Sequence, residues 1–231
     1  MNEVSAILSK VRNEGRKALL EPEAKSICRA YGIPVPSFKV AKNEDQAITF
    51  AAEIGFPIVL KIVSPQIIHK SDVGGVELNL KTIEDVRIAY RNILSRIQES
   101  KPGAKVTGIL VQEMAPPSTE VIVGAIKDSQ FGQSIMFGLG GIFAEVIDDV
   151  AFRIAPINKE EARLMMTEVK AYPILKGYRN QPALDTDALV AILVATSNLV
   201  MENEHLKELD LNPVLVYQKG ATVVDARIIL E

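Results

Sequence analysis

Residues 60–76 read LKIVSPQIIHKSDVGGV, and they combine a strand-like apolar run with a polar loop that ends in two glycines. The apolar run predicts a buried strand ending in Lys61, and a buried ammonium group needs an anion beside it. Gly74 and Gly75 allow backbone N–H groups to come close to such an anion. His69, one of only two histidines in the chain, lies between the lysine and the glycines. This combination indicates phosphate chemistry.

The residues of this loop allow several interpretations. Lys61 either neutralises nucleotide phosphates as a point charge or extends from the strand end into solvent. His69 is interpreted as a phosphate-accepting nucleophile, a general base, a metal ligand or a loop histidine without a chemical role. Metal binding has little support, because no other His or Cys lies at ligand spacing. If His69 is the nucleophile, we expect Lys70 and the amides of Gly74 and Gly75 to hold the transferred phosphoryl group.

The composition of the 231-residue chain narrows the class of protein. The net charge is −3 and the pI is about 5.6, so no overall field attracts nucleic acid or an anionic membrane. The single cysteine, Cys28, excludes an internal disulfide framework and fits a reducing compartment. No secretory signal opens the chain, and no apolar run approaches the ~20 residues of a membrane span. We therefore expect a soluble cytoplasmic protein that binds neither nucleic acid nor membrane.

Helices and strands alternate without strict βαβ repetition, which favours an α+β fold over a doubly wound sheet. Periodicity and capping residues, among them Asn43 and Thr82, predict helices at 4–20, 22–31, 44–54, 83–99, 159–171 and 186–202. Apolar and alternating runs predict strands at 38–40, 56–63, 76–80, 106–114, 120–127, 134–139, 142–147, 151–154, 208–217 and 221–229. Pro116–Pro117 is the clearest break. The predicted domains are an N-terminal helix over 1–20, a first subdomain over 21–110 and a second over 111–231.

The two common nucleotide-binding fingerprints are absent from the sequence. There is no G-x-x-x-x-G-K-[ST], and the glycines of 138–141 lead into strand-like sequence instead of a helix, which disfavours a P-loop or Rossmann site. Glu113 and Met114 end a strand before the double proline, where a carboxylate suits a ribose or an adenine amino group and the backbone suits the adenine edge. Glu120, beyond the prolines, has a similar position. Exposed strand ends are the alternative interpretation.

A glycine cluster and one arginine add further candidates. Residues 138–141 contain three glycines, which suit close approach of the backbone to a ligand, so Gly140 and Gly141 are candidate nucleotide contacts. A β-bulge or tight turn is the alternative. Arg153 follows in an otherwise apolar strand, where it either clamps a phosphate or lies at the surface.

Polar residues alternate with leucines in the predicted strand near the C-terminus. Glu208, Asp210 and Asn212 therefore share one face of that strand. With a two-residue turn at Gln218–Lys219, Asn212 lies opposite Asp225, the only acid in its apolar strand. Oxygen ligands grouped on a hairpin suit Mg²⁺ beside nucleotide phosphates, and a solvated face is the alternative. Asp210, Asn212 and Asp225 are the candidate metal ligands.

Several of these segments taken together resemble the ATP-grasp fold. More closely, they resemble the beta subunits of ADP-forming acyl-CoA (acetyl-CoA) synthetases, relatives of succinyl-CoA synthetase. The segments that carry the resemblance are 57–61, 64–72, 135–141, 171–174, 210–213 and 224–227. The resemblance spans nearly the whole chain, and the block around His69 is its most specific part.

The resemblance implies a phosphohistidine relay. A partner alpha subunit would bind coenzyme A, form an acyl phosphate and pass the phosphoryl group through its own histidine. His69 would then accept the group and deliver it to ADP in a cleft between two subdomains, so that acyl-CoA, ADP and phosphate become carboxylic acid, ATP and CoA. The implied contacts are Lys61 to phosphates, Glu113 and Glu120 to the nucleoside, and Asn212 and Asp225 to Mg²⁺. The implied assembly is an α2β2 hetero-oligomer with ATP/ADP and Mg²⁺ as cofactors.

Three functions therefore compete at the level of the sequence. The first is the phosphotransferase subunit of an ADP-forming acyl-CoA ligase. The second is an ATP-grasp ligase that makes an amide through an acyl phosphate and needs no nucleophilic histidine. The third is a nucleotide-binding subunit without a transfer step. The role of His69 separates the first function from the other two.

Overall fold

The computed structural model of the chain describes residues 3–67, 69–140, 148–179 and 181–231. The chain divides into two compact units. The larger unit contains Met1–Leu19, Glu23–Val35 and Pro117–Glu231, and the smaller unit contains Leu20–Pro22 and Pro36–Pro116. The chain therefore leaves the smaller unit for the larger one between Pro116 and Pro117.

The mixture of helices and antiparallel sheets confirms the predicted α+β class. The helices of the described residues are α1 (Glu3–Asn13), α2 (Glu21–Ala30), α3 (Glu44–Ile54), α4 (Ile83–Ser100), α5 (Lys159–Glu168), α6 (Tyr172–Leu175) and α7 (Thr186–Glu202). The strands are β1 (Phe38–Ala41), β2 (Ile58–Val63), β3 (Val76–Leu80), β4 (Gly108–Glu113), β5 (Thr119–Asp128), β6 (Gly132–Leu139), β7 (Val150–Ile154), β8 (Leu206–Val216), β9 (Ala221–Val223) and β10 (Ala226–Leu230).

The smaller unit is an antiparallel sheet covered by helices α3 and α4. Within the described residues its strand order is β1-β4-β2-β3. All six residues of β2 are buried, as expected for a central strand with an unbroken apolar run. Both helices begin at the predicted caps, because Asn43 accepts a hydrogen bond from the Gln46 amide and Thr82 forms a capping box with Asp85.

The larger unit is built on a second antiparallel sheet, whose described strands follow the order β10-β8-β5-β6-β7 with β9 also paired to β8. Helix α7 buries eight of its residues in the core of this unit. The core also receives the buried residues of α1, α2 and α5. A helix that is apolar around most of its circumference is typical of a buried position, and this burial explains the strongly hydrophobic sequence of α7.

Three sequence predictions differ from the structure. The predicted helix over 4–20 is wrong beyond Asn13, because Gly15 adopts a left-handed conformation (φ 66°) and the chain then pairs with β10, where the Leu230 amide donates to the Lys17 carbonyl over 2.7 Å. The predicted strand 221–229 is interrupted at 224–225. The helix predicted over 159–171 ends at Glu168, and residues 172–175 form the separate short helix α6. The predicted strand 142–147 and the candidate residue Gly141 lie outside the described residues.

Candidate functional site

His69 lies on the loop that joins β2 to β3 in the smaller unit, and its side chain is exposed. A short 3₁₀ turn, Ser71–Val73, follows it. The loop is closed by its own hydrogen bonds, since the Gly75 amide donates to the Lys70 carbonyl over 2.8 Å and the Gly74 amide donates to the Ser71 carbonyl over 3.1 Å. The imidazole is therefore exposed to solvent next to a short segment that is closed by its own hydrogen bonds.

Lys61 lies within β2 and not at its end, and its ammonium group meets an anion of the chain itself. Its Nζ donates to Glu21 Oε1 over 2.7 Å. The second carboxylate oxygen of Glu21 lies 3.0 Å from Lys70 Nζ. As whole residues, backbone included, Lys61 and Glu21 are only 5% and 8% exposed. The structure confirms that an anion lies beside Lys61, although sequence analysis did not identify Glu21 as that anion. The contact of Lys61 with nucleotide phosphates stays a prediction.

Gly74 and Gly75 have a steric role in this loop. Gly74 has a φ of 64°, and a Cβ placed on Gly75 would lie 2.5 Å from Ile62 Cγ2. In the described conformation both amides already donate hydrogen bonds to loop carbonyl groups. Binding of a phosphoryl group by these amides would require the loop to open, so this part of the site stays a prediction.

A charged residue from α4 holds the end of the same loop. Arg96 Nη1 donates to the Gly74 carbonyl over 3.3 Å and to Glu77 Oε1 over 2.6 Å. A Cβ on Gly74 would also meet Arg96 Cδ at 2.7 Å, so glycine is needed for this approach. The sequence offered no signal for Arg96, because an arginine on an amphipathic helix usually marks only the solvated face.

Glu113 and Met114, the candidate nucleoside contacts of the smaller unit, lie at the end of β4. Glu113 is exposed, and its Oε2 accepts a hydrogen bond from the Ser37 amide over 3.2 Å. The Met114 amide donates to the Pro57 carbonyl over 3.1 Å. The Glu113 carboxylate retains acceptor capacity beyond this bond, because an ionised carboxylate has about four acceptor positions.

Glu120 and Gly140, candidate contacts of the larger unit, are neighbours across β5 and the end of β6. The Gly140 amide donates to the Glu120 carbonyl over 2.8 Å. A Cβ on Gly140 would lie 3.0 Å from Glu120 Cβ, so the absence of a side chain permits this approach. The Glu120 side chain is exposed. The two predicted residues are thus brought together, whereas their binding of nucleotide stays a prediction.

Arg153, predicted as a phosphate clamp or a surface residue, is bound to a carboxylate of α5. Its Nη1 donates to Glu168 Oε2 over 2.9 Å, and Nη2 contacts Oε1 of the same group. This pairing raises the pKa of Arg153 and lowers the pKa of Glu168. In the described conformation the guanidinium is committed to Glu168, and a phosphate would have to compete with that carboxylate.

The C-terminal hairpin has the predicted register. Val214 lies opposite Val223 and Leu211 opposite Ala226, which places Asn212 opposite Asp225. The Tyr217 amide donates to the Gly220 carbonyl over 3.0 Å, so the turn consists of 218–219, as predicted. The register with β5 shifts between Val121 and Val123, opposite 212–213, and Asn212 is exposed at this irregularity. Bulges commonly redirect side chains toward functional sites.

The electrostatics of this hairpin fit a hard divalent cation. Partial burial raises the pKa of Asp210, the neighbouring carboxylates Glu208 and Asp225 raise it further, and Arg227 opposes these effects. A cation beside Asp210 and Asp225 would relieve this excess of negative charge. Asp210, Asp225 and the amide oxygen of Asn212 offer oxygen donors of the kind that Mg²⁺ prefers, and their binding of a metal stays a prediction. Among the described residues, no three His, Cys, Asp or Glu side chains form a closed metal cluster.

Comparisons with known proteins identify the family of the chain. Residues 10–230 match the ATP-grasp domain family. The chain is 52% identical, over 97% of its length and 96% of the relative, to the beta subunit of ADP-forming acetate–CoA ligase I of Pyrococcus furiosus.

In the described residues, no helix is both long and apolar enough to cross a membrane.

Solved structures of acetyl-coenzyme A synthetase 1 from Candidatus Korarchaeum cryptofilum are similar to this chain. The complex with coenzyme A, Ca-AMPCP and HgCl⁺ superposes with a TM-score of 0.96 at 51% identity, covering 98% of this chain and 99% of the other. A complex with coenzyme A and Mg-AMPPCP, in which a phosphohistidine segment points towards the nucleotide-binding site, has a TM-score of 0.88 at 48% identity, covering 99% and 100%.

Proposed function

The chain belongs to the ATP-grasp family and, within it, to the beta subunits of ADP-forming acetate–CoA ligases, and from this premise we propose that His69 carries the phosphoryl group to ADP. The overall reaction converts acyl-CoA, ADP and phosphate into carboxylic acid, ATP and CoA. The single observation that supports this role is the exposed imidazole of His69 directly before the segment 70–75, which hydrogen bonds to the Lys70 and Gly74 carbonyl groups hold in place.

For phosphoryl transfer, the chain has to supply mainly correct positioning of the reacting groups and stabilisation of charge. A neutral His69 nitrogen attacks the phosphoryl group of a donor on the partner chain, the N–P bond forms, and the donor's bond to phosphorus breaks. A terminal phosphate oxygen of ADP then attacks, the N–P bond breaks, and ATP leaves. Phosphoryl transfer depends chiefly on alignment and charge stabilisation, and Lys70, next to His69 in the sequence, would supply part of that charge.

The nucleotide and its metal are assigned to the predicted residues as part of this proposal. Glu113, Met114, Glu120, Gly140 and Arg153 would contact the nucleotide. Mg²⁺, when bound, screens the phosphate charge, and Asp210, Asn212 and Asp225 would hold it. The two units of the chain act as the ATP-grasp subdomains in this account.

The partner is a separate chain with the coenzyme A site. The name of the Pyrococcus relative, a beta subunit, implies an alpha subunit. Two copies of each chain form the proposed assembly. The proposed location is the cytoplasm, where coenzyme A thioesters and ADP are available.

Labelling with radioactive ATP tests the role of His69. The chain, incubated with Mg²⁺ and ATP labelled at the γ-phosphate, should incorporate label that is lost in acid and retained in base, as for a phosphohistidine. The His69→Asn variant should bind nucleotide and take up no label, whereas His205→Asn should behave as the parent chain. Unlabelled protein that binds ATP would support a nucleotide-binding subunit without transfer, and label that persists in His69→Asn would overturn the role of His69.

A further inference from the structure

One buried carboxylate connects the central strand of the smaller unit to the residue next to His69. Glu21 Oε1 lies 2.7 Å from Lys61 Nζ, and Glu21 Oε2 lies 3.0 Å from Lys70 Nζ. The exposed fractions of the three side chains are 5% for Glu21, 6% for Lys61 and 15% for Lys70. We propose that Glu21 is a positioning residue, which holds His69 in place through Lys70. This inference rests on the proposed function of His69.

The bridge has a fixed end and an end on the loop. Lys61 is fixed because β2 is paired on both sides, with Lys61 opposite Val76 of β3 and Leu110 of β4. Glu21 Oε1 accepts a hydrogen bond from Lys61 Nζ, and Glu21 Oε2 makes a purely ionic contact with Lys70 Nζ, so rotation of the carboxylate would break both contacts. Since the cluster is buried, water and salt screen these contacts weakly. The two ion pairs therefore hold Lys70, and with it the backbone of His69, at a fixed position relative to the sheet.

A second contact defines the far end of the loop. The Arg96 guanidinium binds the Gly74 carbonyl, and the Gly75 amide returns to the Lys70 carbonyl. His69 thus precedes a segment that is held at Lys70 and again at Gly74. Transfer requires the imidazole nitrogen to meet phosphorus in line, and an error of about 1 Å can cost about 100-fold in rate. A tied loop supplies this alignment before the phosphoryl group arrives.

Charge and position make opposite predictions for this cluster. With Glu21 ionised, the three side chains of Glu21, Lys61 and Lys70 carry a formal charge of +1 together. Replacing Glu21 by glutamine raises that charge to +2, which would strengthen anion capture if charge alone mattered. The same change releases Lys70, which would slow transfer if position matters. The sign of the effect therefore identifies the role.

The test measures the rate of His69 labelling from Mg²⁺ and γ-labelled ATP in the full chain. At saturating ATP, Glu21→Gln should label about 10- to 100-fold more slowly, with the KM for ATP little changed. Lys70→Met should show a similar loss, and Lys70→Arg should recover most of it, because a guanidinium still reaches the carboxylate. The double variant Glu21→Gln/Lys70→Met should be no slower than the worse single variant.

A matched control removes a carboxylate of the same unit that is also bound by two cations. Glu44, partly exposed on α3, binds Arg87 and Arg91, and Glu44→Gln should label at the parental rate. Labelling of Glu21→Gln at or above the parental rate would overturn the proposal. So would losses that add fully in the double variant. If Glu21→Gln does not fold, the Lys70 variants decide, and parental labelling of Lys70→Met would overturn the proposal. Failure of the proposed function itself is distinguishable, because the parent chain would then carry no label on His69.

Discussion

At the scale of single residues, Gly75 is the strictest steric requirement near His69. A Cβ at this position would lie 2.5 Å from Ile62 Cγ2, in the buried strand β2, and 3.0 Å from the Lys70 carbonyl oxygen. Gly75→Ala should therefore displace the loop, lower the free energy of unfolding by about 1–3 kcal/mol and slow His69 labelling. Urea unfolding and the labelling rate measure the two effects.

Gly124→Ala is the control for this substitution. Its Cβ would first meet the terminal methyl group of Met136 at 3.2 Å, and this methyl group can move. We expect little change in stability or labelling from it. If Gly75→Ala is tolerated as well as Gly124→Ala, the loop is looser than its contacts indicate.

The sequence predicted that certain charged groups require a partner, but it did not predict which residue that partner would be. The buried position of Lys61 required an anion, and the structure supplies one, but Glu21 lies 40 residues earlier in the chain. Arg153 likewise meets Glu168, 15 residues later. Long-range pairing of charges depends on the tertiary fold, and a chain with 29 acidic residues offers too many possible partners for sequence to choose among them.

At the scale of secondary-structure elements, the start of α7 depends on Asp185. Its carboxylate accepts hydrogen bonds from the Gly220 amide over 2.7 Å and from the Ala188 amide over 3.0 Å, and these bonds lower its pKa. Asp185→Ala should cost about 0.5–2 kcal/mol of unfolding free energy. Because the folded pKa is lowered, the contribution of the charge is present above the unfolded pKa and is lost as pH falls through the folded value. The difference from the parent should therefore shrink below about pH 4.

Asp187→Ala provides the comparison within the same helical turn. Asp187 pairs with Arg163 where both side chains are more than half exposed, so its removal should cost about 0–1 kcal/mol. Urea titrations between pH 3 and 7 measure both variants. Equal losses in the two variants, or a loss from Asp185→Ala that does not change with pH, would contradict the assigned role of Asp185.

The C-terminal hairpin carries the prediction about metal. Asn212→Ala and Asp225→Asn should each raise the Mg²⁺ concentration needed for half-maximal labelling by about 10-fold or more, because each removes a proposed oxygen ligand. Lys219→Ala, in the turn of the same hairpin, should leave the Mg²⁺ requirement unchanged. An unchanged requirement in all three variants would place the metal elsewhere.

Elements were predictable where local chemistry determines them. The turn at 218–219 fixes the register that sets Asn212 opposite Asp225, and Asn43 and Thr82 fix the starts of two helices. The N-terminal helix was predicted too long, because the residues after Asn13 pair with β10 through their backbone instead of continuing the apolar face of the helix. Local periodicity cannot distinguish these two forms of burial.

At the scale of the whole molecule, the proposed division of labour between two chains has a direct consequence. The isolated chain should take up label from ATP but form no ATP from acetyl-CoA, ADP and phosphate. Addition of a coenzyme A-binding alpha subunit should restore ATP formation, which luciferase detects. Acetyl-CoA-dependent ATP formation by this chain alone would contradict the assignment of the thioester chemistry to a partner.

The role of His69 is tested most directly by locating the phosphoryl group on the chain. Trypsin cuts after Lys61 and Lys70, so His69 falls in peptide 62–70, while His205, the other histidine, falls in peptide 180–207. After incubation with Mg²⁺ and ATP, mass spectrometry at neutral to basic pH should find one added phosphoryl group on peptide 62–70 and none on 180–207. A phosphoryl group on 180–207, or on neither peptide in protein that turns over with its partner, would contradict the account.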